Sequence, residues 1–365
     1  MIKILMKNRP IISVITVSRN RVYYFQQLIQ SLANQKFKDF ELIIIENASD
    51  DETKHYVSSI EIKDIEVKKI YFSKEETIST CRNYAFKNKI VAQTVKYIYF
   101  IDDDDLIFEN TLKKLYNCII TEKADFVFGT TFKVYSSGNL LNNIYSKISY
   151  SSLLKNLLRN SWVVYVGKVL FPSKQWLLIR HCILLGIHSI LLDKKILELN
   201  RFDELVNYGE DSLFWYKISS DIKKYKSLPT AIVPYRLHGD NTFDQHNYIN
   251  KNKCLVNTFE FYEKNNYSKE EKYLVLYIKY LQERYIQFEN NFMHNKFDNS
   301  FIIKFQQLSE TINFKIKLKA CFFFIFPIVI RYAKICKYLI NYYLRNIVTM
   351  NEKFEINLIK NIRLK

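Results

Sequence analysis

Four consecutive aspartates, Asp102, Asp103, Asp104 and Asp105, follow the apolar run Tyr-Ile-Tyr-Phe-Ile at residues 97–101. Such a row repels itself unless a cation or hydrogen bonds compensate. Hard divalent ions such as Mg²⁺ or Mn²⁺ take oxygen ligands and bridge carboxylates to substrate phosphates. The plainer alternative is a solvated acidic turn that caps a following helix with Leu112, Leu115 and Ile119 on one face. A second acidic pair, Glu210 and Asp211, follows Gly209 at the start of a helical pattern. A carboxylate there either answers the helix dipole or serves as a general base. His238 is a lone histidine near a strand end, either structural or a ligand. The other five histidines show no paired spacing and read as surface or core residues. Trp162, Trp176 and Trp215 either pack in the core or line a binding groove.

The elements that must carry these groups alternate. Residues 11–17 (IISVITV) form a continuous β-branched run, the mark of a strand buried on both faces. Asn20 is then placed to cap a helix whose positions Val22, Phe25, Leu28, Ile29 and Leu32 share one face. Residues 42–45 (LIII) make a second buried strand, ended by the polar turn at 46–51. A weaker strand at 67–71 precedes a helix holding Ile78, Cys81, Arg82, Ala85 and Phe86, and residues 97–101 form the next strand. Strands alternating with helices imply parallel pairing in an α/β sheet, and ligands bind at the carboxyl ends of such strands. The polar clusters at 18–21, 46–51 and 102–105 each follow a strand, so they should converge on one crevice. Residues 125–250 mix short strands (126–128, 190–192) with helices near 151–159 and 211–220, and the chain after Lys251 reads helical.

Composition excludes several classes. With glycine only at 129, 138, 167, 186, 209 and 239, no glycine-rich phosphate loop and no G-x-S-x-G nucleophile turn can be written. Phosphates must therefore be met by metal and side chains. Six scattered cysteines without a C-x-x-C pair suit neither zinc nor a disulfide framework, and point to reduced thiols in a cytoplasmic protein. The opening MIKILMKNRP lacks an apolar stretch long enough for a secretory signal. The longest uncharged apolar run, 320–330, is far short of the roughly 20 residues a spanning helix needs.

Six segments in order carry a family resemblance: ISVITVSRNR, SLANQKFKDFELIIIENASDDET, ISTCRNYA, FIDDDD, NRFDELVNYGEDSLF and YRLHGDN. Across residues 10–245 the chain resembles glycosyltransferase family 2, whose GT-A fold is a Rossmann-type, mostly parallel sheet flanked by helices. The resemblance implies an inverting transfer from a nucleotide-sugar, with Asp102 and Asp104 as the D-x-D pair at ribose, diphosphate and metal. Asp103 and Asp105 lie beside them, and His238 joins as a possible ligand. It implies Arg82 and Ser18 at the nucleotide, and Asp211 of the Glu210-Asp211 pair as catalytic base. Glu46 stands where the family has an aspartate on the base, and Arg19 where a tyrosine commonly packs on it. Val17 replaces a common proline. The cofactor implied is Mn²⁺ or Mg²⁺. The donor implied is uridine diphosphate-linked, and the acceptor is a glycan or lipid-linked hydroxyl in bacterial surface polysaccharide or lipooligosaccharide synthesis.

The expected organisation is a catalytic domain at 1–250, with a nucleotide-sugar half at 10–130 and an acceptor half at 131–250. A helical basic extension follows at 251–365. The net charge of +17 favours anionic partners, and residues 251–365 carry 20 basic and 10 acidic side chains. Residues 311–351 hold Lys315, Lys317, Lys319, Arg331, Lys334, Lys337 and Arg345 around CFFFIFPIVI, with no acidic side chain. Lysines beside aromatic and aliphatic surface suit a segment lying on anionic lipid, which would hold the protein peripherally at the inner membrane face. The alternative is a helical domain packed on the catalytic core. No nucleic-acid module is visible. The rival functions are a sugar-phosphate nucleotidyltransferase, whose glycine-rich opening loop is absent, and a non-catalytic basic protein binding membrane or nucleic acid.

Overall fold

The computed structural model describes residues 9–135, 187–206, 208–218 and 221–237, with short pieces between 256 and 313. The chain divides into two compact units, 1–237 with 357–365, and 238–356. In the second unit, Leu308 and Ile312 are buried, and the Thr311 hydroxyl donates to the Leu308 carbonyl at 2.8 Å. The expected helix near 151–159, Trp162, Trp176, His238 and nearly all of the basic segment at 311–351 lie outside the described residues.

The first unit opens with alternating strands and helices: β1 (Ile12–Ser18), α1 (Val22–Ala33), β2 (Phe40–Asn47), α2 (Thr53–Ser59), β3 (Glu66–Phe72), α3 (Ile78–Lys87) and β4 (Tyr97–Phe100). Then come α4 (Thr111–Glu122), β5 (Phe126–Tyr135), a 3₁₀ turn (Ile187–Ser189), β6 (Ile190–Asp193), α5 (Lys194–Leu199), α6 (Glu210–Ile218) and β7 (Tyr225–Leu237). The sheet order is β3-β2-β1-β4-β6-β5-β7. Pairing is parallel for β1 with β2 and β4, for β2 with β3, and for β5 with β7. β6 is antiparallel to both β4 and β5. This is the expected mostly parallel sheet flanked by helices, with one reversed strand set into its middle.

β2 is buried along its whole length, and β1 at every residue except half-buried Val17. Their β-branched runs therefore sit at the centre, with an apolar layer on each face of the sheet. One layer holds Phe25, Leu28 and Leu32 of α1 with Leu112, Leu115 and Ile119 of α4. The other holds Cys81 and Ala85 of α3 with Phe214, Trp215 and Ile218 of α6. Trp215 is thus a core residue, as core packing would have it. β3, whose pattern is weak, lies at the sheet edge and is buried at no position.

The cap of α1 differs from expectation. Asn20 does not cap it; it takes a positive φ of 53°, a conformation asparagine tolerates because its side chain can bond locally. Its Oδ1 accepts from the Asp50 backbone at 2.8 Å, tying the β1 turn to the β2 turn. Arg21 occupies the cap position without a side-chain cap bond. A guanidinium has no acceptor to offer the helix amides, and that of Arg21 bonds to Asp103 and Asp104.

Candidate functional site

Three parallel strands deliver their carboxyl ends side by side. Ser18 pairs with Glu46 and Glu46 with Tyr71 in the sheet register. The Ile101 amide bonds to the Ile15 carbonyl, which brings the aspartate row alongside the end of β1. Asp103, Asp104 and Asp105 are 4%, 6% and 0% exposed. They are not a solvated turn, nor do they cap α4, whose cap is Asn110. Buried charge must be matched by partners, and each carboxylate here has one.

Arg21 Nη1 donates to Asp103 Oδ1 at 3.0 Å and to Asp104 Oδ2 at 2.9 Å. The Arg19 backbone N–H adds a longer bond, 3.4 Å, to Asp103 Oδ2. Arg82 lies on α3 and is almost wholly buried. Its Nη2 donates to Asp102 Oδ1 at 2.8 Å and its Nη1 to Glu210 Oε1 at 2.9 Å. One guanidinium thus joins the aspartate row to the acidic pair that opens α6, across 128 residues of chain. The fork geometry of arginine suits such a bridge, where a lysine would make a point contact.

Asp105 is held from two other elements. Its Oδ2 meets His188 Nδ1 at 2.8 Å, and its Oδ1 accepts from the Arg236 backbone N–H at 3.2 Å. The Tyr99 hydroxyl donates to the His188 carbonyl, fixing the 3₁₀ turn against β4. Arg236 itself lies buried on β7, with its guanidinium 4.7 Å from the Tyr24 ring centroid and Nη2 donating to Gln27 at 3.0 Å. A cation over an aromatic face is attracted by the ring quadrupole.

Burial is the largest influence on the acids. It raises Asp103, Asp105 and Glu210 above the usual carboxylate range, with Arg21, His188 and Arg82 respectively opposing it. For His188, burial pulls the pKa down, but Asp105, Asp102 and Asp104 together outweigh it and the net shift is upward.

The loop at residues 200–206 is stitched to α3. The Asn83 amide donates to the Phe202 carbonyl at 2.9 Å and to Glu204 Oε1 at 2.7 Å. Its Oδ1 accepts from the Phe202 amide at 3.0 Å. Gly209, at φ 77°, makes the left-handed turn that glycine permits without steric cost. Glu210 and Asp211 then form the first turn of α6. With Glu210 committed to Arg82, half-buried Asp211 is the acid of the pair presented on a different part of the turn, successive helical residues being about 100° apart.

Among the residues singled out from the sequence, Asp102, Asp103, Asp104, Asp105, Arg82 and Glu210 meet in this one network, with Asp211 beside it. Ser18 and Glu46 stand at the adjoining strand ends, both buried. Glu46 Oε1 accepts from the Ser49 amide at 2.7 Å. Its Oε2 is buried with no hydrogen-bond partner among the described residues. The Arg19 side chain pairs with Glu75 at 2.6 Å. Three contributors escaped the sequence reading as site residues: Arg21, His188 and Arg236. Arg21 lies within the polar turn after β1, which was a usable signal. His188 and Arg236 meet Asp105 through tertiary contacts that no local spacing signals.

These residues fit a divalent cation. Asp102, Asp105 and His188 each offer one ligand atom, all within 4.8 Å of one another. Carboxylates crowded together in this way disfavour one another's ionisation, and a divalent cation bound among them would relieve that repulsion.

The family model Glycosyl transferase family 2 matches residues 13–175. Over those residues the chain carries a glycosyltransferase family 2 domain. The match takes in the strand ends, Arg82 and the aspartate row, while Glu210 and Asp211 lie beyond it. An uncharacterized glycosyltransferase of Rickettsia bellii is 27% identical over 70% of this chain, which spans 33% of that protein. The GalNAc(5)-diNAcBac-PP-undecaprenol beta-1,3-glucosyltransferase of Campylobacter jejuni is 26% identical over 62% of this chain and 65% of its own length. The crystal structure of S. aureus TarS 1–349 in complex with UDP-GlcNAc shares the fold. Its TM-score is 0.51 at 20% identity, covering 76% of this chain and 72% of that one. The sheet is accordingly GT-A-like, with the aspartate row following its fourth strand.

Proposed function

We propose that this chain is an inverting glycosyltransferase that moves a sugar from a uridine diphosphate-linked donor to a hydroxyl of a glycan or lipid-linked acceptor. The observation that carries this is the Arg82 bridge. It ties Asp102 of the aspartate row to Glu210 of α6, so that the donor's leaving group and Asp211, the residue after Glu210, would be held in fixed relation. The printed activity of the Campylobacter relative, on an undecaprenol-linked glycan, supports an acceptor of that class and a role in bacterial glycan or glycolipid synthesis.

Each group has a part. Glu46, one oxygen spent on the Ser49 amide, keeps Oε2 to accept an N–H of the base, with Ser18 beside it. Arg21 holds Asp103 and Asp104, and Arg82 holds Asp102 and Glu210. The aspartate row, Asp102 with Asp104 or Asp105, would hold Mn²⁺ or Mg²⁺. When bound, such an ion supplies charge neutralisation for the departing diphosphate. Asp211 takes the acceptor hydroxyl proton as the oxygen attacks the anomeric carbon from the side opposite the diphosphate.

Calorimetric titration with UDP tests the donor half. Affinity should be strong with Mn²⁺ and much weaker with chelator. Asp105→Asn should abolish the difference, whereas Asp104→Asn, whose carboxylate already serves Arg21, should reduce it less. Equal affinity with metal and chelator would remove the cation from the scheme. Hydrolysis of UDP-sugars without acceptor separates this reading from a non-catalytic binder.

Base choice gives a second expectation. Glu46→Gln keeps the Ser49 bond and the volume but turns an acceptor toward the base into a donor. A site that hydrogen-bonds one base edge rejects others strongly, because a mismatch leaves polar groups unpaired. The variant should bind UDP more weakly and lose preference over CDP and GDP; unaltered selectivity would place the base elsewhere.

The basic segment at 311–351 is assigned to anionic lipid. No helix among the described residues is long and apolar enough to cross a membrane. Basic residues near an anionic surface contribute about 1 kcal/mol each, screened by salt. Replacing Lys315, Lys317 and Lys319 by Gln should therefore weaken flotation with phosphatidylglycerol vesicles on the order of 100-fold. Binding that is indifferent to salt would assign the segment to packing.

A further inference from the structure

The sheet order decides which of the four aspartates remain for a cation. Arg21 engages both Asp103 and Asp104, whereas Asp102 and Asp105 lie with His188 within ligand reach of one another. Asp102 gives Oδ1 to Arg82 and keeps a second oxygen, with its side chain 34% exposed. β6 runs antiparallel to β4 with Tyr99 opposite Leu191. Continuing that register past the end of β4 sets His188 opposite Asp102. The 3₁₀ turn that begins β6 therefore places an imidazole beside the aspartate row, and the Tyr99 hydroxyl bonded to the His188 carbonyl holds it there. The imidazole is buried, and a nitrogen of it lies within 4.8 Å of an oxygen on each of Asp102 and Asp105.

We propose that His188 is a nitrogen ligand of the divalent cation, completing with Asp102 and Asp105 a mixed nitrogen–oxygen site that prefers Mn²⁺ to Mg²⁺. The proposal rests on the cation-linked donor reading above and adds its ligand set and its metal preference. The chemistry follows from the donor atoms. Oxygen ligands alone suit Mg²⁺ and Mn²⁺ alike, whereas imidazole suits transition metals and leaves Mg²⁺, which keeps its waters, at a disadvantage. A rigid position matters as much as ligand type, since an imidazole fixed by its neighbours need not be ordered when the ion enters. The rival assignment keeps His188 as a plain partner of Asp105 with no bond to the ion.

The test uses the full chain and Mn²⁺ alone. Pulsed electron paramagnetic resonance of bound Mn²⁺ should show nitrogen modulation that changes when the protein carries ¹⁵N-histidine. His188→Gln, which can still bond to Asp105, should lose that modulation and bind Mn²⁺ at least about tenfold more weakly. Mg²⁺ binding, read by competition, should change far less. Because the modulation is read first on the unaltered protein, a misfolded variant does not remove the test. Mn²⁺ bound without nitrogen modulation would overturn the proposal while leaving the cation reading intact. Modulation that survives His188→Gln but disappears in His238→Gln would overturn it in favour of His238. No Mn²⁺ binding by folded protein, with or without UDP, would overturn both.

Discussion

Replacing Asp211 by Asn should lower the rate of sugar transfer at saturating donor by about 10²–10⁴-fold, the usual contribution of a general base, while UDP affinity stays near that of the unaltered protein. Asparagine keeps the size of the side chain and can still bond to its surroundings, but it cannot accept the acceptor proton. The expectation is specific to Asp211 because its neighbour is already committed: Glu210 gives Oε1 to the buried Arg82 at 2.9 Å. Glu210→Gln should accordingly act through position, with a smaller loss of rate and a measurable loss of stability. Rates from single-turnover transfer, paired with UDP titrations on the same preparations, separate the two. An Asp211→Asn protein at full activity would overturn the base assignment. Loss of UDP binding in that variant would make Asp211 part of the donor site.

Arg82→Met should be the most damaging single change to the fold at this site. Removing one partner of a buried ion pair costs about 3–5 kcal/mol, because the remaining charge stays buried and uncompensated. Here two carboxylates, Asp102 and Glu210, lose their common partner. Asp102 is a third exposed and regains some water, so most of the cost falls on Glu210, whose side chain is 12% exposed. Adding Glu210→Gln to Arg82→Met should then recover part of the lost stability, a coupling that separate effects would not show. Urea unfolding of the two single variants and the double variant measures it. Arg82→Met within about 1 kcal/mol of the unaltered protein would mean that the bridge carries little of the fold's stability. Donor affinity should fall as well, since Asp102 loses the bond that aims it.

Much of the fold was legible in local patterns. The β-branched runs in β1 and β2 can be satisfied only between two apolar layers, and alternation with amphipathic helices requires parallel neighbours. Polar turns after β1, β2 and β4 must then open on one edge of the sheet, so Ser18, Glu46 and Asp102 could be grouped before any coordinates. Asn20 was misread as a cap because capping and left-handed turn residues share the same short polar side chains; the choice is made by Asp50, on another turn.

What the sequence by itself determined is that an acidic row ends a buried strand, that an Arg-Asn helix precedes it, and that a Glu-Asp pair opens a later helix. Composition and periodicity act over a few residues, and those statements need no more. Only the tertiary structure decided which charge meets which. Arg21 reaches Asp103 and Asp104 across more than 80 positions, Arg82 joins Asp102 to Glu210, and His188 comes to Asp105 because β6 enters the sheet reversed next to β4. Nothing in the spacing of a single histidine encodes that approach. It depends on strand order and register, which are set when the whole apolar core is buried at once, and a shift of one residue in β6 would turn its side chains to the opposite face of the sheet.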